Sequence, residues 1–290
     1  MLTVSVLTVS VLTVSVLTVS VLTGCSNDRH APQPVGPYEA GAQHVSFSVG
    51  GIQRTAVLVV PPELLQDGAP PAPLVFAFHG HGGSGAGIQR STHLENLWPA
   101  AIVVYPDGLP GHRGITDSDG SEPGWQTEVG ELGDRDLAFF DTMLATIQAN
   151  LPVDRGAVYL FGHSNGSQFV SLLLNQRGNA IAATANVSAA PPLRLLATDP
   201  DRSMFVSLGM NDPLVDYDIQ KLAIPRIEEK LGIDAAAQPG SSGDAGNQYL
   251  TIEHGRDGLE LDTYIHPGGH AIPTDVPALA VAFFQRNRLQ

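Results

Sequence analysis

The 290-residue chain holds a single cysteine, Cys25. One thiol cannot close an intrachain disulfide, and it cannot build a cysteine-based zinc or iron–sulfur site. Basic side chains are scarce as well: 15 Lys and Arg stand against 29 Asp and Glu, a net charge of −14. A surface this acidic repels phosphate backbones, which argues against a nucleic-acid partner. It favours neutral substrates over polyanions. Charged residues of both signs make up only 15% of the chain, while 43% is hydrophobic. That excludes a mainly disordered protein and leaves ample material for a core.

No charged side chain occurs between Met1 and Asn27, and residues 2–21 are four copies of Leu-Thr-Val-Ser-Val. A pentad has no period that packs as a solenoid. The apolar run ends in Leu22-Thr23-Gly24-Cys25, which resembles a bacterial lipobox. The expectation is a lipoprotein-type signal peptide over 1–24, with Cys25 acylated. That would anchor the chain to a bacterial membrane, with secretion as the alternative. Polar, Pro-rich residues follow, and 25–43 reads as a flexible tether. The remainder, 44–290, is expected to be one domain.

That remainder alternates strand-like and helix-like stretches. Residues 44–49 and 52–60 flank Gly50-Gly51 and read as an antiparallel hairpin. Short apolar runs at 73–78, 101–105, 157–161, 183–188 and 204–208 suit strands buried on both faces of a parallel sheet. Helical spacing appears in 134–151, with Leu137, Phe140, Leu144, Ile147 and Leu151 on one face. It appears again in 166–177, ended by Gly178, and in 218–231, kinked at Pro225 and ended by Gly232. Residues 249–254 and 259–265 form a late hairpin, and a last helix starts near Asp275. This predicts an α/β fold: a mostly parallel central sheet, an N-terminal antiparallel hairpin and helices on both faces. Two long stretches, 107–133 and 236–248, lack periodicity.

Gly162-His163-Ser164-Asn165-Gly166 lies between an apolar strand and a helical run. G-x-S-x-G in that setting places a serine on a tight turn with its hydroxyl exposed, and the next N–H, of Asn165, can face an oxyanion. A nucleophilic serine needs a base and the base an orienting acid, in the order Ser, Asp, His for this kind of sheet. His270, in Pro267-Gly268-Gly269-His270, sits just past a strand end where ligands bind in open α/β sheets. His266 is its main rival; His254 reads as solvated. Asp212 follows the strand 204–208, with Asp216 and Asp218 as alternatives whose other role is helix capping.

Upstream, Phe78-His79-Gly80-His81-Gly82-Gly83-Ser84-Gly85 follows the strand 73–78. A Gly-rich loop here supplies a second oxyanion donor, assigned to the N–H of His81. His79 and Gly82 are expected to line the substrate site. The same stretch matches G-x-G-x-x-G, but it does not open the first βαβ unit, so a dinucleotide site is not favoured. His79 and His81 alternate on an extended chain and point apart, so no metal is assigned, and no cofactor is required. Trp125 either lines an acyl pocket or pins its loop.

These motifs occur together and in order: PLVFAFHGHGGSG, the DRDLAFF…GHSNGS block, LGMNDPLVDY and HPGGHAIP. The chain resembles the secreted esterases grouped as polyhydroxybutyrate depolymerases and feruloyl esterases, over about residues 45–288. The resemblance implies an α/β-hydrolase fold and a serine carboxylester hydrolase. Ser164 would be the nucleophile, Asp212 the acid, His270 the base, and His81 with Asn165 the oxyanion hole. The substrate would be a small or oligomeric ester. Ser167 departs from that pattern, which has a second glycine there. The alternatives are a serine peptidase of the same fold and a non-catalytic lipid-anchored binding protein.

Overall fold

The computed structural model describes residues 38–234, 242–244 and 248–289. The expected signal peptide 1–24, Cys25 and most of the tether lie outside the described residues.

Ten strands form one sheet among the described residues: β1 (Gly41–Val49), β2 (Ile52–Val60), β3 (Ala72–Phe78), β4 (Ile102–Pro106), β5 (Val153–His163), β6 (Ala183–Val187), β7 (Ser203–Gly209), β8 (Ser242–Asp244), β9 (Gln248–His254) and β10 (Glu260–His266). Their order is β1-β2-β4-β3-β5-β6-β7-β10-β9-β8. The block from β4 to β10 is parallel. Antiparallel pairs close both ends, the expected N-terminal hairpin at one and β9–β8 at the other. β1 begins at Gly41, inside the stretch assigned to the tether.

The parallel strands are buried along their length because helices cover both faces. Arg135–Asn150, Asn165–Arg177 and Ile224–Leu231 pack on one core, around Phe76, Leu160 and Val206. Gly85–Thr92, Leu94–Leu97 and Val276–Arg286 pack on the other, around Val103, Phe161 and Phe205. The face predicted for the helix Arg135–Asn150 is correct but too narrow. Phe139 and Met143 are buried as well, and Phe139 meets Phe47 edge-on at 5.9 Å. Gly178 follows Arg177, the last residue of its helix, as expected, but at φ −57° it lacks the left-handed conformation of a typical glycine cap. It is small for packing: a Cβ there would lie 2.1 Å from Pro200 Cγ. Pro225 does not kink a long helix; it sits in the first turn of Ile224–Leu231, where a missing N–H costs nothing. Gly232, at φ 68°, ends that helix as predicted.

Among the described residues no helix is long and apolar enough to cross a membrane.

Candidate active site

β3, β5, β7 and β10 all end at one edge of the sheet, and each is followed by a loop that reaches a common cavity of about 920 Å³. Parallel strands bring their C-terminal ends together, so residues far apart in the chain converge there.

Ser164 leaves β5 at φ 55°, ψ −120°. That conformation is strained for a side chain with a Cβ, at a typical cost of about 1–3 kcal/mol. Its surroundings leave little alternative. The Ser164 N–H donates to the Val187 carbonyl at 2.8 Å, and the Ser164 carbonyl accepts from Ser167 N–H at 2.9 Å. The two glycines of the pattern are required by space. A Cβ on Gly162 would lie 2.5 Å from the Gly166 carbonyl oxygen, and one on Gly166 only 2.3 Å from that of Phe78. Ser167, the departure noted above, is wholly buried. Its hydroxyl donates to the Ala189 carbonyl at 2.6 Å and accepts from the Asn186 amide at 2.9 Å. A glycine could not tie the helix to the loop after β6 in this way.

Ser164 Oγ lies 2.7 Å from His270 Nε2, and His270 Nδ1 lies 2.7 Å from Asp212 Oδ2. The other Asp212 oxygen accepts from the amides of Leu214 at 2.8 Å and Val215 at 2.9 Å. Pro213 has no N–H to compete for it. Burial alone would raise the Asp212 carboxyl. The Val215 amide, His270 and the Leu214 amide outweigh that and hold it below the usual carboxylate range. The loops after β7 and β10 are laced together: Asn211 N–H donates to the Gly268 carbonyl at 3.1 Å, and the Asn211 amide to that of Pro267 at 2.7 Å.

The rival residues stand elsewhere. His266 is buried, and its Nδ1 accepts from the Gly268 N–H at 3.1 Å. The His254 side chain is 67% exposed. Asp216 caps the short helix Tyr217–Gln220, and Asp218 pairs with Lys221 at 2.6 Å.

Of the glycine-rich loop, His79, His81 and Gly82 all line the cavity, as does Asn165. His79 is held at both ring nitrogens: Nδ1 donates to the Gly80 carbonyl at 2.7 Å, and Nε2 accepts from the Gly108 N–H at 2.9 Å. The second bond requires Nε2 unprotonated, so the ring is neutral; burial lowers its pKa in the same sense. His79 is thus a strut of the loop rather than a flexible substrate contact. The His81 ring pairs with Asp117 at 3.0 Å. Gly82 adopts φ 72°, and its N–H is taken by the Pro123 carbonyl at 2.7 Å. Gly85 is needed for packing, since a Cβ would meet the Tyr105 carbonyl oxygen at 2.1 Å.

Trp125 does not line the cavity; it is wholly buried and pins its loop. Its indole N–H donates to the His79 carbonyl at 2.9 Å, and its ring stacks on Phe169 at 5.3 Å. The Asn165 side chain grips its backbone on both sides, accepting from the Trp125 N–H at 2.8 Å and donating to its carbonyl at 3.0 Å. The pocket assignment failed because the aromatic points inward, under the oxyanion loop.

His163 also lines the site and was not singled out from the sequence. Its ring centroid is 5.3 Å from that of His270. Burial, then the neighbouring His270, lower its pKa to about 4, so it is neutral beside the serine. Its place as the variable residue of G-x-S-x-G was the available signal. Among the described residues no group of three or more His, Cys, Asp or Glu could hold a metal ion.

Known proteins share this arrangement of strands and loops. Feruloyl esterase D of Neurospora crassa is 25% identical over 261 residues, covering 87% of this chain and 86% of its own. Acetyl xylan esterase from Aspergillus awamori superposes with a TM-score of 0.59 at 16% identity, over 84% of this chain and 99% of that one. The chain has the α/β-hydrolase fold, the fold it shares with these esterases. An S-formylglutathione hydrolase from Agrobacterium tumefaciens has the same fold at 14% identity, with a TM-score of 0.58 over 87% of this chain and 98% of that one. No family model matches the sequence.

Proposed function

We propose that this chain is a serine carboxylester hydrolase that works through an acyl-enzyme, with Ser164, His270 and Asp212 as its triad. The observation that carries this reading is the row of two 2.7 Å contacts that ends on a serine held at φ 55°.

His270 Nε2 takes the Ser164 proton as Oγ attacks the ester carbonyl carbon. The carbonyl π pair moves onto oxygen, and the backbone N–H groups of His81 and Asn165 receive that oxyanion. Each such donor is worth ~3 kcal/mol in the transition state. Asn165 is the first residue of its helix, so its N–H has no partner within the helix and the helix dipole favours negative charge there. Asp212 holds the imidazole with Nδ1 protonated and stabilises the imidazolium. Collapse of the tetrahedral species breaks the bond to the alcohol oxygen, which leaves with the proton from His270. Water, deprotonated by the same histidine, then cleaves the acyl-enzyme and restores the serine.

The relative's name makes a feruloyl ester the first substrate to try, and the resemblance to polyhydroxybutyrate depolymerases makes a hydroxyalkanoate ester the second. Purified chain is expected to hydrolyse methyl ferulate or short p-nitrophenyl esters. Ser164→Ala should lower kcat by roughly 10⁴–10⁶ with an unchanged thermal melt. Most of the activity surviving in that variant would reject the nucleophile assignment. Cleavage of peptide substrates with no ester hydrolysis would favour a peptidase, and failure of a fluorophosphonate to label Ser164 a non-catalytic role.

A further inference from the structure

The cavity around Ser164 is not uniform, and strand order accounts for its two ends. β5, which carries Ser164, has β3 and β4 on one side and β6, β7 and β10 on the other. The elements after β3 and β4 bring Arg90 and Arg113 into the lining, beside Ile88 and Ile115; those after β7 and β10 bring Leu214, Val215 and Ile272 and, among the described residues, no Arg or Lys. The two sets therefore enter the cavity from opposite sides of the serine's strand.

The cationic end is out of keeping with the rest of the molecule. Acidic residues outnumber basic ones 29 to 15, yet among the described residues no Asp or Glu lines this cavity. Among the described residues, eight other arginines and both lysines form ion pairs. Arg202 bonds three backbone carbonyls instead. Arg90 and Arg113 have neither kind of partner, a property that among the described residues they share only with Arg155, which does not line the cavity. The acids on the adjoining loops are engaged elsewhere. Asp107 accepts from the Gly85 N–H and the Thr55 hydroxyl. Asp117 accepts from His81 and from the amides of Ser121 and Glu122. Glu131 pairs with His112 at 2.6 Å and accepts from the Thr127 N–H. Glu122 is exposed, beyond Gly82, and does not line the cavity. Two guanidiniums without partners at one end of a ligand cavity suit a carboxylate, which their planar donors can grip in pairs.

We propose that the β3–β4 end of the cavity is a carboxylate-binding subsite, so that the substrate is an ester with a free carboxylate on one side of the scissile bond and a short apolar chain on the other. This rests on the esterase reading and names its substrate class. It also separates the cavity from the acidic surface around it: the surface disfavours polyanions, while the site selects a single negative charge.

Two matched pairs test it. Monomethyl adipate and dimethyl adipate place the charge on the acyl side; 4-acetoxybutanoate and its methyl ester place it on the alcohol side. Binding of all four to full-length Ser164→Ala is measured by calorimetry or NMR titration, and hydrolysis by the unaltered chain. In at least one pair the charged member should bind tenfold or more tightly than its neutral twin. That ratio should collapse towards one in Ser164→Ala carrying Arg90→Gln and Arg113→Gln, and shrink in 0.5 M salt. No preference in either pair, or a preference that survives both arginine substitutions, would overturn the subsite. The binding arm needs no turnover. Absent hydrolysis of every ester therefore counts against the esterase reading alone.

Discussion

The turn at the end of β5 and the irregular stretch 107–133 meet at the same cavity but are held in opposite ways. The turn is fixed by backbone pressed on backbone: Gly162 against Gly166, and Gly166 against Phe78. The long stretch is fixed by side chains that substitute for regular structure. Asp117 accepts the amides of Ser121 and Glu122. Gln126 accepts those of Asp136 and Leu137, and returns its own N–H to Asp136 at 3.0 Å. Beneath it Arg54 and Asp136, both wholly buried, pair at 2.9 Å, with the guanidinium 4.2 Å from the Phe139 ring centroid. The first kind of rigidity tolerates no added atom. The second can be dismantled one bond at a time.

The largest effect should come from adding a single methyl group to the turn. Gly166→Ala has no space beside the Phe78 carbonyl, and neither neighbour is a flexible side chain. The expected outcome is loss of a cooperative melt, or a drop of at least 10³ in activity; a well-folded active variant would break the contrast. Next comes Asp136→Asn, which leaves Arg54 buried without its counter-charge at a cost of roughly 3–5 kcal/mol. Denaturant titration should show that loss, and hydrogen exchange should rise first in 107–133 while the β5 turn stays protected. The smallest effect is one of pH. Folded His163 stays neutral down to about 4 against an ordinary value of 6.5, so the unfolded chain binds the extra proton in that window. Stability is fully present above about 6.5 and falls as pH drops towards 4, by at most about 1.4 kcal/mol per pH unit. Asp199, raised to about 6 by burial, acts with the opposite sign. The diagnostic is therefore the difference between wild type and His163→Asn, whose melting temperature should depend less on pH from 6.5 to 4.

The same contrast governs what could be read from the chain. The hairpin, the parallel strands and the turn around Ser164 are local: alternation, short apolar runs and two glycines at fixed offsets specify them. Asp212 and His270 were reachable because a parallel sheet puts the ends of β7 and β10 on the same edge as that of β5. The inward side of Trp125 was not legible, because it depends on Asn165, forty residues away. Gly178 marks the helix stop, but its packing against Pro200 was not legible, because nothing nearby announces that contact. The polarity of the cavity was hidden too. It depends on β4 lying outside β3, a crossing that no periodicity in the sequence encodes.

The left-handed serine carries one more consequence. Glycine would adopt φ 55° without penalty, so at this residue the reactive atom and the relaxed backbone exclude each other. A scaffold that merely held a ligand would gain nothing from the hydroxyl and would be steadier without it. Replacing Ser164 by glycine offers such a scaffold an easy route to greater stability, one that ends catalysis for good.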